Sequence, residues 1–117
     1  MEKAKSFKDL IVWHKSHSMV LDIYKKTKLF PKEETCGLTS QIRRSSVSVA
    51  ANIAEGFKKK GAADKKRFFN ISQGSLSETE YYLILAKDLE YTDTSELLNQ
   101  TEEVGRILEA YMSAIDK

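Results

Sequence analysis

The chain is expected to be all-α, an antiparallel up-down-up-down four-helix bundle. Three observations predict this. Apolar residues recur at steps of three and four through four segments, the period of a helix with one buried face. One proline and five glycines among 117 residues leave room for long uninterrupted helices. The breaks between segments are only a few residues long, which favours neighbours that double back on each other. A three-helix fold or an open helical array would bury less of the four stripes. The whole of 1–117 is expected to be one domain, large enough for a four-helix core without covalent staples.

The first helix is placed at about 8–28. Leu10, Trp13, His17, Val20 and Tyr24 fall on one face, which Ile11, Val12 and Leu21 widen. Lys25, Lys26 and Lys28 stand in its last turn, where cations favour the negative end of the helix dipole. Phe30-Pro31 closes it, because a residue before proline avoids the helical region.

The second helix is placed at about 33–58, with Pro31, Glu33 and Glu34 as a first turn. Gly37 allows a later start near Leu38. Leu38, Ile42, Val49 and Ile53 form its stripe, and Ser45, Ser46, Ser48, Ala50, Ala51 and Ala54 keep its surface slim enough for close helix packing. Gly56 is a plausible stop.

The third helix is placed at about 64–90 with Asp64 as its cap. Phe68, Ser72, Ser75, Thr79, Tyr82, Ala86 and Leu89 keep a heptad-like rhythm, flanked by Ile71, Leu76 and Leu83. Gly74 inside it costs about 1 kcal/mol against alanine, which a close helix crossing there could offset. The fourth helix, about 94–116, follows a break at Tyr91-Thr92-Asp93. Its face is Leu97, Thr101, Val104, Leu108, Tyr111 and Ile115.

Apolar residues occur beyond a single stripe (Ile11, Val12, Val47, Phe69, Tyr81), a lone bundle would leave several of them exposed, and this surplus points to an oligomer. No apolar run approaches membrane-spanning length, and MEKAKSFKDL has no apolar core of signal-peptide length. Cys36 is the sole cysteine, so no intrachain disulfide can form. A cytoplasmic protein is expected.

No metal, nucleophile or phosphate-loop pattern appears, so no enzyme activity and no cofactor are expected. His14 and His17 can share a face but lack further ligands. His17 reads as a core or boundary residue and His14 as surface. Cys36 reads as a small buried or half-buried side chain. Glu55, Glu78 and Asn52 could in principle do acid–base work. Structural roles explain them more cheaply: Asn52 bonding across a helix seam, and Glu78 paired with Arg43 or Arg44.

Charge is distributed unevenly. The net charge is +2, yet Arg43–Arg67 holds eight bases against two acids, and Phe68–Lys117 holds three bases against ten acids. Arg43, Arg44, Lys58, Lys59, Lys60, Lys65, Lys66 and Arg67 are the candidate nucleic-acid contacts, because clustered cations neutralise phosphates and release counterions. Phe57, Phe68 and Phe69 interleave with them. Phe68 is expected in the core. The alternative is an ordinary solvated loop and helix start, or charged regions that serve subunit or protein-partner contacts.

Several segments together resemble a known family. They are Phe7-Lys8-Asp9-Leu10-Ile11-Val12-Trp13, Phe30-Pro31-Lys32-Glu33-Glu34, Gly37-Leu38-Thr39-Ser40-Gln41-Ile42-Arg43-Arg44, Ser46-Val47-Ser48-Val49, Asn52-Ile53-Ala54-Glu55-Gly56 and Gly74-Ser75-Leu76-Ser77-Glu78. The chain resembles the bacterial four-helix-bundle proteins encoded in intervening sequences of large-subunit ribosomal RNA genes. The resemblance covers nearly the whole chain in order. It implies a ring-shaped homopentamer without known enzyme activity, with Trp13, Asn52, Glu55, Gly56, Ser75 and Glu78 as motif residues of structural importance. A related group, the accessory variability determinants of diversity-generating retroelements, shares bundle and pentamer, binds nucleic acid and partners a reverse transcriptase. The resemblance thus implies self-association, with RNA, DNA or a protein as further partner.

Overall fold

The computed structural model describes residues 3–115. Four helices and no strand occur among them: α1 (Ile11–Thr27), α2 (Leu38–Lys58), α3 (Ala62–Asp88) and α4 (Ser95–Ile115). Each helix packs against two others, α1 and α3 both against α2 and α4. The molecule measures 45 × 23 × 19 Å. Its long axis is close to the length of α3, about 40 Å for 27 residues at the α-helical rise.

The first helix begins at Ile11, three residues later than the sequence suggests. Phe7–Asp9 is instead a 3-10 turn held by a capping box, in which Ser6 Oγ accepts the Lys8 N–H and Asp9 Oδ2 accepts the Ser6 N–H. Lys32–Glu34 is likewise a 3-10 turn, so α2 starts at Leu38 rather than near 33. Gly37 has no side chain to cap α2. Glu34 does the work from one turn upstream, its Oε1 accepting the Leu38 N–H at 3.0 Å. Asp64 lies inside α3, whose cap is Gly61. Glu90, at φ 61°, takes the left-handed position that ends α3, and the Tyr91 N–H closes back on the Ala86 carbonyl. The expected end of the fourth helix at 116 lies outside the described residues.

The core is one cluster. Met19 and Ile23 of α1, Ile42, Val49 and Ile53 of α2, Phe69, Leu83 and Ala86 of α3, and Leu97, Val104 and Leu108 of α4 are essentially inaccessible. The stripes of α2 and α4 face it in the expected register. That of α1 does not, and that of α3 does so in part: Ser72, Thr79 and Ala86, with Leu76 and Leu83 beside them, are buried as expected. In α1 the buried face is Val12, Ser16, Met19, Val20, Ile23 and Thr27. Trp13 lies half-exposed, and His17 is exposed and stacked on it at 4.9 Å. In α3 the buried face is Phe69, Ser72, Leu76, Thr79, Leu83 and Ala86, one residue on from the expected Phe68, Ser75 and Tyr82, and Leu89 is exposed.

Hydroxyls occupy part of both inward faces, and in α1 they explain why the register was hidden. Ser16 and Thr27 are buried because each donates to the carbonyl four residues back, at 2.7 Å. The α2–α3 seam is lined the same way. Ser45 and Thr79 are 2.7 Å apart, Ser48 and Ser75 2.8 Å, and Ser72 donates to the Val49 carbonyl at 2.6 Å. A buried polar atom is tolerated when it has a partner, and no partnerless buried side-chain N or O atom is found among the described residues.

Candidate nucleic-acid interface

The turn between α2 and α3 is three residues long, and its backbone is extended at Lys59 and Gly61. It therefore projects Lys58, Lys59 and Lys60 from one end of the molecule, Lys58 and Lys60 exposed and Lys59 half-buried. The first turns of α3 bring Lys65, Lys66 and Arg67 to the same end. Lys65 is committed to the fold. Its Nζ donates to the Phe57 carbonyl at 2.6 Å and lies 3.4 Å from that of Gly56, so it neutralises the negative end of α2. Lys66 is half-buried in a polar cleft with Asn70 and Gln73 of α3 and Glu109, Met112 and Ser113 of α4.

Phe68 sits among these charges rather than in the core. Its ring is half-buried, with Lys59 Nζ and Arg67 Cζ each 5.0 Å from its centroid. The next residue, Phe69, is fully buried and edge-on to Tyr111 at 5.3 Å. Gly56 makes this packing possible. A Cβ there would lie 2.8 Å from the Phe69 ring and 3.1 Å from Phe68 Cβ.

Arg43 and Arg44 belong elsewhere. They stand about 20 Å from the α2–α3 turn, fourteen or more residues up a helix that rises about 1.5 Å per residue. Arg43 Nε donates to Thr27 Oγ1 at 2.8 Å, its guanidinium reaches the Tyr24 carbonyl at 3.3 Å, and its Cζ lies 4.6 Å from the Tyr24 ring centroid. It secures the last turn of α1. Arg44 is exposed. Its charge is felt at Tyr82, whose phenol is nevertheless held above its ordinary pKa, chiefly by the hydrogen bond to Glu78 at 2.9 Å. The eight candidate contacts thus divide into a cluster at the α2–α3 turn and a separate arginine pair.

One contributor was missed. Lys5, Ser6 and Phe7 line a groove of about 550 Å³ with Ala51, Ala54, Glu55, Phe57 and Lys58. The N-terminal segment therefore adds Lys5 to the basic end. Lys5 lies outside the charge run of Arg43–Arg67, and only the packing of the N-terminal segment against the end of α2 brings it there.

The motif residues serve the fold. Trp13 packs edge-on against Phe7 at 5.1 Å. Asn52 donates to the Ser48 carbonyl and hydroxyl, and Ser48 meets Ser75 across the seam. Glu78 pairs with Tyr82 on the same helix, not with Arg43 or Arg44. Glu55 is exposed in the groove. Cys36 is exposed, contrary to expectation. Nor is Gly74 at a helix crossing, since a Cβ there would meet nothing within 4 Å. At Gly105 of α4 an added Cβ would make ordinary contact with Leu76 Cδ2, at 3.5 Å. Among the described residues no group of three or more His, Cys, Asp or Glu could hold a metal, and no helix is long and apolar enough to cross a membrane.

Comparison with known proteins gives a family and a fold relative. A crystal structure of a protein of unknown function from the S23 ribosomal protein family of Bacteroides thetaiotaomicron superimposes with a TM-score of 0.81. It is 27% identical, and the match covers 87% of this chain and 98% of that one. No curated protein matches the chain. The profile of the 23S rRNA-intervening sequence proteins matches residues 8–110, from the 3-10 turn before α1 to the last turns of α4. The chain belongs to the 23S rRNA-intervening sequence protein family.

Proposed function

We propose that this protein is a non-enzymatic, oligomeric nucleic-acid-binding protein of the cytoplasm, associated with RNA, whose contact surface is the basic end of the bundle. The observation that carries this reading is the gathering of Lys58, Lys59, Lys60 and Arg67 at the α2–α3 turn, with Lys5 sharing a groove with Lys58 and with Lys59 and Arg67 against the half-buried ring of Phe68. Cations so placed bind polyanions by displacing counterions, and affinity falls steeply with salt. Of the eight candidate contacts, Lys65 and Arg43 act from within the fold, Lys66 faces α4, and Arg44 lies too far away to share a phosphate run with the turn.

In this reading the four helices alternate in direction, and five copies form a ring. Support for the alternation lies in paired contacts whose numbers fall on one helix as they rise on the next. Ser45, Ser48 and Val49 meet Thr79, Ser75 and Ser72, and Leu83, Leu76 and Phe69 meet Thr94, Gly105 and Tyr111. Self-association is supported by apolar side chains left at the surface, among them Ile11 at 68% exposure and Tyr81 at 57%. The number five rests on the family resemblance. A ring would repeat the basic end around an axis and raise avidity for a long strand.

Filter binding of RNA across a salt series tests the proposal. The expected result is tight binding at low salt that weakens linearly on a log–log scale. Affinity no greater than that of a charge-matched control, or with no salt slope, removes it.

A second reading, a scaffold for another protein, is favoured by one observation. An apolar groove runs along α1 and α2, lined by Phe7, Trp13, Val20, Val47, Ala51 and Ala54. A pull-down that recovers a protein but no nucleic acid after nuclease treatment would favour this reading.

A further inference from the structure

Phe68 is placed differently from every other aromatic on α3. Phe69 is wholly buried, and Tyr81 and Tyr82 lie near the far end of the helix. Of the four aromatics on α3, Phe68 alone has cations over its half-buried ring, two of them at 5.0 Å from its centroid. Its base lies close to α2. A Cβ added at Gly56 would come within 3.1 Å of Phe68 Cβ, and the neighbouring Phe69 is wholly buried in the core, so the ring is carried on a well-packed part of the helix. Its outer companions, Lys59 and Arg67, are long side chains, Arg67 exposed and Lys59 half-buried.

An aromatic ring held by the fold and framed by long cationic side chains has the two elements that single-stranded nucleic acids need. The ring offers a stacking surface for a base, and the cations meet the phosphates on either side. A duplex cannot use the ring, because its bases are already stacked on each other. We propose that Phe68 is a base-stacking platform and that this end of the protein prefers single-stranded RNA over duplex. This inference rests on the nucleic-acid role proposed above and names its substrate class. On binding, Lys59 leaves the ring for a phosphate and the base takes its place. Arg67 stays beside the ring, where its guanidinium can stack on the same base or pair with the next phosphate. Base–aromatic stacking is stronger than an exposed cation–π contact, so the exchange is favourable.

The test compares an unstructured oligouridine with an RNA duplex of the same length, using the intact chain and the variants Phe68→Leu and Phe68→Tyr. Leucine keeps apolar contact with Gly56 but removes the stacking surface, and tyrosine keeps both. The expected result for Phe68→Leu is a loss of about 5- to 100-fold in affinity for the oligouridine. Its salt slope and its duplex binding should be unchanged, and Phe68→Tyr should bind as the parent does. Equal loss for oligouridine and duplex, or no loss for either, overturns the stacking site. If Phe68→Leu fails to fold, Phe68→Tyr and the parent still decide the matter, because a parent without preference for the single strand overturns the proposal. A parent that binds neither RNA with a salt slope overturns the nucleic-acid reading itself.

Discussion

The two ends of the bundle use their polar side chains in opposite ways. At the end where α1 finishes and α4 begins, they are tied to each other and to the backbone. Tyr91 donates to Glu34 at 2.6 Å, Glu34 caps α2 through Leu38, Arg43 binds Thr27 and the Tyr24 carbonyl, and Thr94 donates to the Leu83 carbonyl. At the α2–α3 turn, Lys65 alone among the turn's cations is shown committed to backbone carbonyls, while Lys58 and Lys60 project into solvent. The first arrangement stabilises the fold by satisfying helix ends. The second contributes little to stability and concentrates like charge. A charged surface that the fold does not need is where a partner is to be sought.

The comparison can be broken by substitution. The largest effect is expected at Gly56, where an alanine Cβ would press on the Phe69 ring in a site with no room to yield. Gly56→Ala should destabilise by about 1–3 kcal/mol in chemical denaturation, the range for overpacking. This tests whether the packing beneath the basic end is rigid. Arg43→Met should also cost about 1–3 kcal/mol, since hydrogen bonds to a charged group are lost and the α1 terminus is uncapped. Its RNA affinity should be unchanged.

The hydrogen bond between Tyr91 and Glu34 gives the tied end a pH signature. Hydrogen bonds from Tyr91 and then from the Leu38 N–H hold the Glu34 carboxyl below its ordinary pKa, and the same bond to Glu34 raises the Tyr91 phenol. The carboxylate contribution is therefore complete above the ordinary carboxylate range and lost as pH falls through the lowered value. The phenol contribution is complete below the ordinary tyrosine value and lost as pH rises through the raised one. Tyr91→Phe should lower the denaturation midpoint near neutral pH and flatten its fall at both extremes. An unchanged pH profile would show that the bond does not tie this end.

Gly74 supplies the smallest effect and the counterpart of Gly56. Nothing lies near its absent Cβ, so Gly74→Ala should stabilise by about 0.5–1 kcal/mol, the helix-propensity gain alone. Destabilisation instead would mean that another copy of the chain packs closely on this face.

How far the sequence could be read depended on what buries each helix. In α2 and α4 aliphatic residues recur at helical spacing along the inward face, so the period is plain even with Thr39, Ser45, Ser46 and Thr101 buried among them. In α1 and α3 the inward faces include Ser16, Thr27, Ser72 and Thr79, whose hydroxyls are satisfied by backbone or by each other. Trp13, Tyr24 and Tyr81 meanwhile point outward. Hydropathy therefore favoured the wrong face in α1, whereas in α3 Ser72, Thr79 and Ala86 were placed correctly and only Phe68, Ser75 and Tyr82 stand one residue off the inward positions. Helix starts were misplaced for a related reason: 3-10 turns at Phe7–Asp9 and Lys32–Glu34 look like first turns of helices until their hydrogen bonds are seen. At the candidate site, the lysines of the α2–α3 turn were legible as a charge run. The commitment of Lys65 and Arg43 was not, because it depends on where distant carbonyls end up. Nor was the half-burial of Phe68, which follows from Phe69 taking the inward position instead.

The measurement that bears most directly on the division between the two ends is the salt dependence of RNA binding for a Lys58→Gln/Lys60→Gln variant beside Arg43→Met. The account predicts that the lysine variant keeps its stability to within about 0.5 kcal/mol and that its log–log salt slope falls by about one to two units. Arg43→Met should show the reverse, lost stability with an unchanged slope. A lysine variant that binds RNA with the parent's slope, or an Arg43→Met whose slope drops as far, would contradict it.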